Sequence, residues 1–334
     1  MFDDAFNQRP GIEESSRGIT RRAALRLLAV APMAAAGGVA GQSASTLPVG
    51  LFSRHLQWTS VEHAIDVARE IGFDAIEWAV RPGGHVNPER VETDLPKVVE
   101  LTRKAGLAVT MIATAILDAR SPHADAILRT AHGLGIRYYR GAMFRYDYDA
   151  DLALQLEGLK PRVATLVELN RKYGMTIAYH THSGAGNIGG NVWDLWTVIR
   201  QFDADVIALN YDTGHTTIRG GNGWIDGARV ALQYIRCLAI KDALWARRPD
   251  GKWVAEFCPI GAGMVDFKGV FSLLRTARFS GPINIHLEHD DLLGSDVGTW
   301  TLPMSRERFV ALAKSDLDRI RALMREAQLY ANSR

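Results

Sequence analysis

The chain reads as one α/β domain, a (β/α)8 barrel, on three observations. Short apolar runs alternate with longer amphipathic ones from residue 47 onward, and glycine follows most of the amphipathic runs. Roughly eight strand-then-helix units fit within about 280 residues, the length at which parallel strands with helical crossovers close on themselves. A doubly wound open sheet is the alternative. It would set a glycine-rich phosphate turn after the first strand, where Ser53-Arg54-His55 stands instead.

The elements follow in order. Leu47 to Phe52 is the first strand. Thr59 and Glu62 form a capping box for a helix from Ser60 to Ile71, which Gly72 ends. Asp74 to Val80 is the second strand, followed by a polar loop from Arg81 to Val86 and a helix from Leu95 to Ala105 that stops at Gly106. The third unit is strand Leu107 to Ala113 with helix His123 to Leu134, and the fourth is strand Ile136 to Arg140 with helix Leu152 to Tyr173. Strand Met175 to His180 and helix Val192 to Phe202 come next, then strand Val206 to Asp212 and helix Trp224 to Tyr234. Strand Ile235 to Lys241 leads to helix Phe267 to Arg278, and strand Ile283 to Glu288 is closed by helix Arg306 to Tyr330.

Residues 1–45 read as an export signal and 46–334 as the barrel. Arg21-Arg22 precede an acid-free stretch of Ala, Leu and Gly that ends in small residues, Val39-Ala40-Gly41-Gln42-Ser43-Ala44. Paired arginines in that setting mark a twin-arginine signal, which carries proteins already folded and places them in the periplasm or outside the cell. The stretch is too short and interrupted for a membrane span. About 290 residues then remain, which suits one large domain. Hydrophobic residues make up 47% and charged ones 23%, as in ordinary globular proteins. A net charge of +2 offers no basic field for nucleic acid. No membrane partner is expected once the signal is removed, and the composition leaves room for a homo-oligomer. Cys237 and Cys258 have no metal-thiolate spacing; a disulfide is permitted after export, and two buried thiols are the simpler reading.

In such a barrel, chemistry sits at the carboxyl ends of the strands. Here the fifth strand ends Tyr179-His180-Thr181-His182, and the sixth runs Asn210-Tyr211-Asp212-Thr213-Gly214-His215. The seventh ends Lys241-Asp242, and the eighth runs His286-Leu287-Glu288-His289. Alternation puts His180 with His182 on one side of their strand, and His286 with Glu288, His286 one layer deeper. Each residue alone has a bland account: a hydrogen-bonded histidine, Asp212 as the cap of a short turn, Lys241 paired with Asp242 at the surface. Four adjacent strand ends so equipped together point to a catalytic or metal-binding centre.

At these residues the chain resembles the xylose-isomerase-like superfamily of sugar isomerases and epimerases. The carriers are Ile71-Gly72-Phe73-Asp74-Ala75-Ile76-Glu77, Tyr211-Asp212-Thr213-Gly214-His215, Ile240-Lys241-Asp242, Pro259 to Asp266 with its Gly-x-Gly-x-x-Asp spacing, and Glu288. The resemblance implies a divalent metal held by a Glu on the fifth strand, an Asp on the sixth, a His on the seventh and a Glu on the eighth. Asp212 and Glu288 match. His180 stands in place of the first Glu, and Ala239 replaces the His. His286, His182 and His215 are the candidates for the missing ligand, and a His/Asp/Glu set suits Mn, Zn, Fe or Co better than Ca. The alternative is that the histidines do acid–base work without a metal.

The loop Val80-Arg81-Pro82-Gly83-Gly84-His85-Val86 resembles that of exported relatives acting on 3-oxidised glycosides. That resemblance implies a carbohydrate substrate and proton abstraction beside a ketone, followed by isomerisation, epimerisation or β-elimination of the glycosidic oxygen. His180, His182, His215 and Lys241 are then the candidate catalytic groups. Arg81, His85, Arg140 and Trp224 are the candidate substrate contacts, with Arg54 and the other loop tryptophans as weaker ones. Lys241 as a Schiff-base lysine is disfavoured by the adjacent Asp242. The glycine-rich run Ser183 to Gly190 lacks the ending of a phosphate loop and reads as an active-face loop. Two other functions compete: a non-catalytic exported sugar-binding or accessory subunit, favoured by Ala239, and an endonuclease on the same barrel, disfavoured by the near-neutral charge.

Overall fold

The structure is a computed structural model that describes residues 47–289, 292 and 300–330. The signal segment and its boundary at residue 45 lie outside the described residues. Eight parallel strands close the barrel: β1 (Val49–Phe52), β2 (Ala75–Val80), β3 (Ala108–Thr114), β4 (Tyr138–Arg140), β5 (Thr176–His180), β6 (Ile207–Asp212), β7 (Ile235–Ile240) and β10 (Ile283–Ile285). The last returns to pair with the first, Val49 opposite Ile283 and Leu51 opposite Ile285. Helices cover the outer face of the barrel and side chains fill its interior, so β1, β2, β5 and β6 are buried along their whole length.

Around the strands run α1 (Val61–Ile71), α2 (Val91–Lys104), α3 (Ala124–Gly133), α4 (Leu152–Tyr173), α5 (Val192–Ile199), α6 (Thr213–Gly220), α7 (Trp224–Val230), α8 (Phe267–Thr276) and α9 (Arg306–Glu326). Their ends obey local chemistry. Ser60, one residue beyond the predicted cap, accepts from His63 N at the start of α1, and Gly72 ends it with a left-handed φ of 100°. Helix α2 starts at Val91, one turn before the predicted Leu95, with Pro96 inside it.

Three departures from the sequence reading shape the active face. First, β8 (Asp242–Arg247) and β9 (Trp253–Cys258) form an antiparallel hairpin between β7 and α8, where only a connection is predicted. Its Phe257 sets an edge against the His215 ring, 5.1 Å between centroids, and so roofs part of the barrel mouth. Second, the segment after Asp212 continues beyond a short turn as helix α6. Third, the eighth barrel strand stops at Ile285, and Glu288 N turns back to donate to His286 O at 3.0 Å. Cys237 and Cys258 are free thiols.

The Pro259 to Asp266 segment is held from below by Asp242. Its carboxylate accepts backbone N–H groups of Ala243, Gly261, Gly263 and Val265 at 2.8–3.2 Å. A side chain at Gly263 would collide with that carboxylate, which explains the second glycine of the motif. Asp266 then caps α8 by accepting from Gly269 N. The motif is therefore a framework for the active face, and Asp242 does not pair with Lys241.

Candidate active site

A cavity of about 400 Å³ opens at the carboxyl ends of the barrel strands, lined by Phe52, Arg54, Arg81, Arg140, His180, His182, Lys241 and Glu288 among others. Lys241 is its organising centre. It follows β7 directly and is 3% exposed, and its Nζ lies 2.7 Å from Glu288 Oε2, 3.3 Å from Asp212 Oδ2 and 2.8 Å from His215 Nε2. One ammonium thus gathers the predicted carboxylates, 76 positions apart in sequence (288 − 212), into one cluster. His180 Nε2 joins it at 3.6 Å from Asp212 Oδ2.

Asp212 serves two purposes. Its Oδ1 accepts from His215 N at 2.8 Å and caps α6, while Oδ2 has no hydrogen-bond partner and faces Lys241 and His180. Burial raises its pKa to about 6 against the opposing pull of Lys241. Burial also works to raise the pKa of Glu288, but Lys241 and His55 outweigh it and hold that carboxyl below its usual range. His180, His215 and His286 are pushed well below the ordinary imidazole value by burial and the nearby cations, and His182 to about 4.

Hydrogen bonds fix which nitrogens carry protons. Gly184 N donates to His182 Nδ1 at 3.1 Å, so neutral His182 keeps its proton on Nε2 and is a donor. Lys241 occupies the Nε2 lone pair of His215, whose Nδ1 meets Ser183 Oγ at 2.9 Å. Neither ring has a free lone pair for a general base. His182 and His215 stack, ring centroids 3.8 Å apart.

Beneath this layer lies His286, one layer deeper as alternation predicts, together with Glu77 and His55, which sequence reasoning did not assign. Glu77 of β2 is fully buried, 3.5 Å from His286 Nε2 and 3.5 Å from Arg140 Nε. His286 stacks on His180 at 5.5 Å and reaches Glu288 Oε1 at 3.8 Å through Nδ1. His55 accepts from Leu287 N, steadying the turn that carries Glu288. A carboxylate inside the apolar run Ala75-Ile76-Glu77-Trp78 is the signal that could have found Glu77.

Two predicted substrate contacts lie elsewhere. His85 is held by Leu56 O at 3.2 Å and packs edge-on to Trp78, so it pins the loop after β2 rather than lining the cavity. Trp224 begins α7 and packs by Gly220 and Gly269, away from the cavity, because the hairpin and α6 occupy the rim in its place. Arg81 and Arg140 do line the cavity.

His180, Asp212 and His215 each bring one ligand atom within 4.8 Å of the others, a set that can hold a divalent metal ion. The fit rests on two orphaned buried oxygens. Asp212 Oδ2 is unbonded, and so is Asn210 Oδ1, whose amide lies 3.3 Å from His180 Nδ1. Turning that amide over lets His180 donate from Nδ1 and frees Nε2 toward Asp212. Lys241 holds both the His215 Nε2 lone pair and Glu288 Oε2, so His215 and Glu288 join as donors once its ammonium withdraws.

A profile of the family described as "Xylose isomerase-like TIM barrel" matches residues 65–308. An inosose dehydratase from Bacillus licheniformis is 26% identical over 181 residues, which are 50% of this chain and 58% of that protein. The chain thus spans about half the length of the curated relatives it matches. Among solved structures, the IolI protein with a bound zinc atom aligns with a TM-score of 0.64 at 14% identity, over 86% of this chain and 100% of that one. The 3-keto-D-glucoside 4-epimerase from E. coli aligns with a TM-score of 0.59 at 13% identity, over 83% and 99%. At such identities the structural likeness speaks to the fold. The profile spans most of the chain, and the closed eight-stranded barrel agrees with it: the protein belongs to the xylose isomerase-like TIM-barrel family.

Proposed function

We propose that the protein is a sugar epimerase, isomerase or lyase that removes the proton next to a ketone, with a 3-keto-glycoside as its substrate. The observation that carries this is the Lys241–Glu288 pair, 2.7 Å apart on the cavity wall beside the His182 N–H. Glu288 is the group able to accept a proton. It is ionised beside Lys241, partly open to the cavity, and its Oε1 is not used by Lys241. The electron pair left on carbon moves onto the ketone oxygen, and the Lys241 ammonium and His182 Nε2–H stabilise that oxyanion. Returning the proton to the other face gives epimerisation, and to the neighbouring carbon, isomerisation. Expelling the oxygen one carbon further on gives elimination. A dehydratase among the sequence relatives and a 3-keto-glucoside epimerase among the structural neighbours support this range.

A divalent ion held by His180, Asp212, His215 and Glu288 would polarise the ketone and hydroxyl oxygens as a Lewis acid. Zn, Mn, Fe and Co suit these donors, and the zinc in the IolI neighbour supports the choice.

The test is Glu288→Gln with 3-keto-glucoside in deuterated water. Wild type is expected to place solvent deuterium beside the ketone, and the variant to lose roughly 10²–10⁴-fold in rate with an unchanged melting temperature. Equal exchange by the two proteins would reject Glu288 as the base. Sugar binding without exchange by wild type would favour the accessory-subunit alternative.

The paired Arg21-Arg22 support export to the periplasm or beyond. With both changed to Lys, the precursor is expected to stay in the cytoplasm; unchanged secretion, followed by fractionation and blotting, would remove that assignment.

A further inference from the structure

Opposite the histidines and carboxylates, the cavity wall is built from guanidinium groups. Arg54 follows β1, Arg81 follows β2, and Arg140 is the last residue of β4, so barrel closure brings all three to one side of the same cavity. Arg140 and Arg81 both lie over the Phe52 ring, their Cζ atoms 4.2 Å and 5.5 Å from its centroid. Arg140 is 7% exposed, and among the described residues its ion-pair partner is Glu77, at 3.5 Å. Arg81 has no carboxylate within ion-pairing distance among the described residues. Across the cavity Glu288 offsets part of the charge of Arg54 and Arg81, while its Oε2 is taken by Lys241.

Holding these cations together out of water is unfavourable. Burial, and then the charges of Arg140 and Arg54, bring Arg81 down to about 9, and burial with Arg140 lowers Arg54. Sugar hydroxyls are recognised adequately by amides and hydroxyls, which carry no such cost. Guanidinium forks match the paired oxygens of a carboxylate or phosphate, and a bound anion would relieve their repulsion.

We propose that the substrate is an anionic keto sugar, whose carboxylate or phosphate is bound by Arg54, Arg81 and Arg140 while its ketone faces Lys241 and Glu288. This rests on the keto-sugar assignment for its second half and on the arginine wall alone for its first. A cavity of about 400 Å³ has room for one sugar ring with such a group attached.

Calorimetric titration of the full chain with D-glucuronate, D-glucose 6-phosphate and methyl glucoside tests it, at low and at moderate salt. At least one anionic probe is expected to bind tenfold or more tighter than methyl glucoside. The tighter of the two anions identifies carboxylate or phosphate as the natural group. Arg81→Gln is expected to cost that anion about tenfold and methyl glucoside markedly less, and Arg81→Lys to recover part of the anion's loss through charge without the fork. Equal affinity for all three probes would overturn the proposal, as would equal weakening of neutral and anionic probes by Arg81→Gln. Failure of the keto-sugar chemistry reads differently: anions would still bind preferentially, and deuterium exchange would be absent from every ketose tried.

Discussion

The two sides of the barrel mouth are built from different chemistry. Strands β1, β2 and β4 deliver Arg54, Arg81 and Arg140, cations that offer planar, multiply donating surfaces. Strands β5, β6 and β7 and the turn after β10 deliver His180, His182, Asp212, Lys241 and Glu288, a cluster in which protons can be held and moved. The first side is suited to gripping a substrate and the second to reacting with it. Glu77 and His286 join them underneath, Glu77 touching Arg140 of one side and His286 of the other. On the proposed function, division of labour in this barrel follows strand order, the early strands binding and the late ones reacting.

Removing Lys241 is the severest test of that division. Lys241→Met keeps the volume but leaves Asp212 and Glu288 facing each other without their shared cation. Activity is expected to fall by at least 10²-fold, and stability by about 3 kcal/mol, the scale for stripping one partner from a buried ion pair. The same variant separates ammonium from metal. If both use Asp212 Oδ2 and Glu288, Lys241→Met should bind added Zn or Mn at least tenfold more tightly than wild type, and the metal should restore part of the melting temperature. Elemental analysis and thermal melts with and without metal read this. A variant that melts like wild type and binds no metal would show that Lys241 does not organise the late side.

How much of this was legible in the sequence follows from the same contrast. The late side was readable because its residues cluster at strand ends, as in His180-Thr181-His182 and His286-Leu287-Glu288, where alternation alone predicts shared faces. That Lys241 sits among Asp212, His215 and Glu288 was not, because spacing gives the face of a strand and not the reach of a flexible side chain. Glu77 and His55 come from the first two units yet meet residues of the last. Only closure of β10 onto β1 creates that proximity. The β8–β9 hairpin escaped because its half-exposed alternation sits in a connection between two stronger elements. His85 and Trp224 were drawn to the substrate by loop position; burial against Trp78 and Leu56, and packing beside Gly269, gave them other work.

The smallest effect expected is a difference between the two sides in their response to acid. His55 is pushed down to about 3 and His182 to about 4, chiefly by burial, and His180, His215 and His286 are lowered for the same leading reason. In the unfolded chain each returns to about 6.5. Between pH 6.5 and about 4 the unfolded state therefore binds more protons than the folded one, and stability falls as pH falls. Above 6.5 these histidines are neutral in both states and their contribution is complete. Asp212 works against the trend. Its folded value of about 6 lies above the unfolded one, so its contribution is greatest in acid and is lost as pH rises through that value. The histidines outnumber it, so urea unfolding should show stability rising from pH 5 and levelling off above pH 6.5, with each uncancelled histidine giving at most about 1.4 kcal/mol per pH unit. His182→Gln keeps a side chain that can accept from Gly184 N and should flatten the slope by about one proton. Arg81→Gln removes no histidine and should leave it unchanged. A flat profile in wild type, or equal flattening by both variants, would mean that the buried histidines do not set the acid response.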